Sequence, residues 1–120
     1  MASAMEIYRG FREDLAQAEL GRLKVGVRAH YDRLVRAQQR DEFVAIDLAE
    51  MLCVRLEGLL AVAVQLDPEA RGHIVGAARY FISEADAVPD EGSCIGLDDD
   101  VEVFNHVVDA LGRPDLLITE

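Results

Sequence analysis

Apolar residues recur three and four positions apart along nearly the whole chain, the spacing that gathers them on one face of an α-helix. From Met5 to about Arg40 the stripe runs through Tyr8, Phe11 and Leu15, then Leu20, Leu23, Val27, Tyr31 and Leu34. Arg9, Arg12, Glu13, Arg22, Arg28, Arg33 and Arg36 fill the other face. Gly21 and Gly26 each weaken a helix by about 1 kcal/mol relative to Ala, so the region reads as one long helix or as two. Asp41 suits an N-cap, and beyond it Phe43, Ile46, Ala49, Leu52, Cys53, Leu56, Leu59, Leu60, Ala63 and Leu66 form a broad apolar stripe. That breadth predicts the central, most buried helix.

The clearest helix start is "LDPEARGHIV". Asp67 can cap the free amides, Pro68 fits the first helical position, and Glu69 suits the positive helix end. This third helix is predicted to reach about Glu84 through Ile74, Ala77, Ala78, Phe81 and Ile82. A last helix carries Val101, Phe104, Val107 or Val108, and Leu111, and "GRPD" ends it with Gly112 at the C-terminal position and Pro114 just beyond. At 120 residues the chain can bury one core, and with no Trp and few aromatics that core must come from Leu, Val, Ile and Ala, a palette that favours packed helices. The expectation is an all-α single domain of four or five helices with an acidic loop before the last. Residues 1–66 form N-terminal helices, 67–112 a helix-loop-helix, and 113–120 a tail that is unpaired or packs on the bundle.

Charge divides the chain. The net charge is −11, yet residues 1–60 carry nine Arg/Lys against ten Asp/Glu, and residues 61–120 carry three against thirteen. An acidic surface repels phosphate backbones and anionic lipid, which argues against nucleic-acid binding and membrane-surface attachment and leaves divalent cations and basic partners. The basic first half can shield the acidic second. Cys53 and Cys94 lack CxxC spacing and read as reduced thiols in a cytoplasmic protein. The start of the chain lacks a signal-peptide stretch, and the longest uncharged run of the apolar centre, Gly58 to Leu66, is nine residues, too short to span a bilayer.

Seven carboxylates, two glycines and a proline, with no basic residue, fall in the seventeen positions from Asp86 to Glu102. The order Asp86, Val88, Pro89, Asp90, then Ile95, Gly96, Asp99 and Asp100, between two apolar helices, resembles the small helical domain of unknown function called DUF1232, the YkvA-like family. The likeness covers roughly residues 75–111. Ser93 stands where that family often has a second Pro, and Asp98 where it usually has an apolar residue. The resemblance implies a helical hairpin and brings no reaction with it.

Read from the residues, Asp98, Asp99 and Asp100 open the last helix, one as cap and the others on the helix dipole. Pro89 fixes a turn, Val88, Ile95 and Leu97 fold inward as an apolar plug, and Asp86 and Asp90 bond their own backbone amides. The alternative is Ca²⁺ or Mg²⁺ held by Asp86, Asp90, Asp99 and Asp100, with Glu91 and Asp98 nearby. The EF-hand register fails, because neither Gly92 nor Gly96 at the sixth position puts oxygen ligands where that loop requires them. Cys94 with His73 or His106 as base is a weak nucleophile candidate, since surrounding carboxylates discourage a thiolate. His30, His73 and His106 show no zinc spacing and read as surface or boundary residues, and no phosphate-cradling loop exists.

The function expected from sequence is non-catalytic: a protein-binding or regulatory module whose contact surface is the acidic loop and last helix, among them Asp86, Pro89, Asp90, Gly96, Asp98, Asp99 and Asp100. Self-association through apolar helix faces is compatible with the pattern. The competing reading is a divalent-cation sensor or metal-dependent enzyme using the four aspartates above.

Overall fold

The computed structural model describes residues 3–39, 46–84 and 97–119. Among them lie five helices: α1 (Ala4–Phe11), α2 (Gln17–Gln39), α3 (Ile46–Val62), α4 (Pro68–Glu84) and α5 (Asp98–Ala110). Short 3-10 turns follow α3 (Ala63–Gln65) and α5 (Pro114–Leu116). The fold is the expected all-α bundle, and among the described residues no helix is long and apolar enough to cross a membrane.

The first helical region is two helices, but neither glycine breaks it. Gly21 and Gly26 both lie within α2, and the chain turns at residues 12–16 instead. No local breaker stands there; α4 holds the corner open. Arg79 donates to the Phe11 carbonyl at 2.9 Å and pairs with Glu13 at 2.9 Å, while Arg71 pairs with Asp14 at 2.6 Å. Two arginines thus take up a carbonyl and two carboxylates that a continuous helix would point elsewhere. At the start of α1, Ser3 and Glu6 form a reciprocal capping box.

α4, not α3, is the central helix. It packs against α1, α2, α3 and α5, whereas α3 leaves Met51, Val54 and Val62 exposed along one side. The reason is side-chain size: Gly72, Gly76, Ala77 and Ala78 let neighbours approach α4 closely on several sides, and Ile74, Val75 and Phe81 fill between them. Its start is as predicted, with the Ala70 amide donating to Asp67 Oδ1 at 2.8 Å and Pro68 opening the helix. Asp41, the expected cap of α3, lies outside the described residues.

α5 ends in a Schellman arrangement. Gly112 adopts φ +72°, its amide bonds the Asp109 carbonyl at 3.0 Å, and the Arg113 amide bonds the Val108 carbonyl at 2.8 Å. The tail then packs on the bundle. Asn105 clamps Ile118 from both sides, donating to its carbonyl at 2.9 Å and accepting from its amide at 2.8 Å. Arg55 of α3 donates to the carbonyls of Leu116 and Leu117, and Ile118 is buried.

Candidate functional site

The start of α5 differs from its sequence reading. The residue at the N-cap is Leu97, buried and with no side-chain cap bond, so Asp98, Asp99 and Asp100 occupy the first turn rather than the cap. Burial of Leu97 in the core decides the register. The three carboxylates therefore act on the helix dipole, an effect of about 0.3–1 kcal/mol each at exposed positions. Successive helical residues diverge in direction, and here the divergence is complete: Asp98 and Asp99 face solvent, whereas Asp100 is 3% exposed and sits within the bundle.

From that start α5 presents one outer face. Asp98, Asp99, Glu102 and Asp109 are exposed, and among the described residues none of these four carboxylates has a hydrogen-bond or salt-bridge partner. The expected shielding by the basic first half does not occur there. The pairings that cross the chain run the other way, from Arg71 and Arg79 in the second half to Asp14 and Glu13 in the first, while Arg28 pairs with Glu57 between α2 and α3. Among the described residues the four carboxylates on the outer face of α5 stay uncompensated.

A second constellation lies where α1, α4 and α5 meet. The Tyr8 ring is fully buried, and its hydroxyl lies 2.6 Å from His73 Nδ1. The His106 ring meets Tyr8 edge-on at 5.6 Å and lies 6.4 Å from the His73 ring. Burial, then the Arg12 guanidinium, push the His73 pKa below its usual value, which keeps the imidazole neutral at pH 7. Burial also raises the Tyr8 phenol, against the opposing pull of Arg12. A neutral imidazole accepting the phenol proton at Nδ1 leaves its other nitrogen as a donor.

His73 also lines a groove between the end of α3, the first turns of α4 and the end of α5, together with Leu59, Leu66, Glu69 and Leu111. From sequence, His73 and His106 figure only as possible bases for Cys94, and neither Tyr8 nor the groove stands out as a site. Glu69 and His73 stand four apart on one helix face, which is a readable signal, but Tyr8 reaches His73 across 65 positions and leaves no local trace. His30, expected at the surface or boundary, is buried at 2% exposure with its ring edge-on to Phe81 at 4.6 Å. It continues the α2 stripe between Val27 and Leu34.

Of the residues proposed from sequence, Asp86, Pro89, Asp90, Glu91, Cys94 and Gly96 lie outside the described residues. Asp99 and Asp100 are described, and they point to solvent and core respectively rather than to one point. Among the described residues no group of three His, Cys, Asp or Glu side chains is placed to hold a metal ion. Cys53 is buried, and burial pushes its thiol pKa up to about 11, away from a reactive thiolate. No protein-family model, curated protein or solved structure matches this chain.

Proposed function

We propose that this chain is a non-catalytic protein-binding module of the cytoplasm that docks a basic partner along the outer face of α5. The supporting observation is the row of Asp98, Asp99, Glu102 and Asp109, exposed and without partners among the described residues. An uncompensated one-sign stripe on a rigid helix accelerates encounter with an oppositely charged surface and disfavours like-charged ones. The DUF1232 resemblance bears on this reading through Asp99 alone, because Asp100 of that pattern is buried within the bundle.

The test compares affinity capture by the native chain with capture by an Asp98→Asn, Asp99→Asn, Glu102→Gln, Asp109→Asn variant of unchanged circular dichroism. A genuine partner is retained by the native chain, lost by the variant and released by added salt, since exposed charges are screened within about 8 Å at physiological ionic strength. Partners recovered equally by both proteins would refute the reading.

A further inference from the structure

The groove beside His73 has a volume of about 530 Å³, within the range of about 300–1,000 Å³ usual for small-molecule sites. Its lining is divided about equally between polar and apolar surface, the apolar part coming from Leu59 and Val62 at the end of α3, Leu66 just beyond it, Ala70 on α4, and Ala110 and Leu111 at the end of α5. Its polar groups decide which ligand it can hold. Asp67 and Glu69 are both exposed; the Asp67 carboxylate accepts from the Ala70 amide, and the Glu69 carboxylate has no hydrogen-bond or salt-bridge partner among the described residues. The guanidinium in the lining, Arg113, is already clamped by Asp115 through two bonds of 3.0 and 2.9 Å. His73 is occupied at Nδ1 by the Tyr8 hydroxyl and adds no charge while neutral.

An anion entering this groove meets two carboxylates and an arginine already neutralised. A cation with an apolar body meets two carboxylates and apolar side chains in the same groove. We propose that the groove binds a small amphiphilic cation, an ammonium carried on an alkyl or aryl body, with the ammonium at Glu69 and Asp67 and the body against Leu59, Leu66 and Leu111. The site is independent of the outer face of α5, so neither reading depends on the other.

Calorimetric titration at pH 7.5 with three probes tests it: octylammonium, octanoate of the same chain length, and butylammonium of the same charge. Octylammonium should saturate with a Kd at least tenfold below both others. Ala70→Phe and Ala110→Phe, which fill the groove from α4 and from α5, should each raise that Kd tenfold or more with circular dichroism unchanged. Asp67→Asn with Glu69→Gln should erase the preference over octanoate, and Asn keeps the α4 cap. Equal binding of octanoate would overturn the charge assignment, equal binding of butylammonium would reduce the effect to surface charge, and undiminished binding by both groove-filled variants would place the ligand elsewhere. Each of these results, or no saturable binding of octylammonium, overturns the proposal.

Discussion

Replacing Gly76 by Ala tests the packing of α1 on α4 directly. A Cβ at that position would lie 2.7 Å from Tyr8 Cε1, 2.9 Å from Tyr8 Cδ1 and 2.9 Å from Arg12 Cγ. Arg12 is long and exposed and can swing aside. The Tyr8 ring cannot, because it is fully buried and its hydroxyl is held at 2.6 Å by His73. It would have to retreat from 2.7 Å to the 3.4 Å at which ordinary contact begins, about 0.7 Å. Overpacking of this kind costs about 1–3 kcal/mol, and losing the phenol hydrogen bond adds about 0.5–1.5 kcal/mol. Against this, Ala gains about 1 kcal/mol over Gly in a helix interior. The net expectation is a loss of about 0.5–3.5 kcal/mol, read as a lower urea midpoint at constant slope. Gly21→Ala and Gly58→Ala, where a Cβ meets nothing within 4 Å, should instead stabilise by up to about 1 kcal/mol. In a Tyr8→Ala background Gly76→Ala should change sign and become stabilising. A raised midpoint for Gly76→Ala in the native background, or the same loss with and without Tyr8, would refute the argument.

His73 predicts a pH dependence. Its folded pKa lies below the unfolded value of about 6.5, so the folded state prefers the neutral ring; its contribution is present above pH 6.5 and is lost as pH falls through the folded pKa. Urea midpoints of the native chain should fall on acidification through that window, and His73→Gln should flatten the slope there. Asp14, lowered by its bond to Arg71, acts in a separate window, stabilising above its unfolded value near pH 3.8 and fading as pH falls below it. Asn105→Ala removes both bonds to Ile118 and should cost about 1–3 kcal/mol, with the Ile118 amide exchanging its hydrogen far faster. Cys53 should resist thiol reagents at pH 8 until the protein unfolds; rapid native labelling at Cys53 would contradict its burial. Millimolar Ca²⁺ or Mg²⁺ should leave the thermal midpoint unchanged, and a rise abolished by Asp99→Asn would support the cation reading instead.

Features governed by neighbours in sequence were legible, and features governed by distant partners were not. The Asp67–Pro68 start and the Gly112 stop were readable because capping and left-handed backbone are local requirements. The Ser3–Glu6 capping box is equally local and was there to be read. The corner at residues 12–16 was hidden, because it is imposed by Arg71 and Arg79 from almost sixty positions or more away. Apolar breadth misdirected the choice of central helix: α3 has the larger side chains, but the small ones of α4 are what let helices close in around it. At the α5 start, three aspartates suggested a cap, and the buried Leu97 takes the N-cap instead, so the helix begins earlier than an aspartate cap would allow.

The pairing of α1 with α4 has a kinetic consequence. α2 and α3 are sequence neighbours and form an extensive helix pair, whereas Tyr8 and His73 must meet across 65 positions. Closing the longer loop is entropically costlier and is rewarded only once α4 is itself in place. α1 should therefore dock after the folding barrier, so that Tyr8→Ala speeds unfolding and leaves the folding rate nearly untouched. On the ribosome the order of appearance is reversed. α1 emerges before α4 and waits for more than fifty further residues with its aromatic ring uncovered, so the helix seated late is exposed to chaperones for longer than the α4 it docks on.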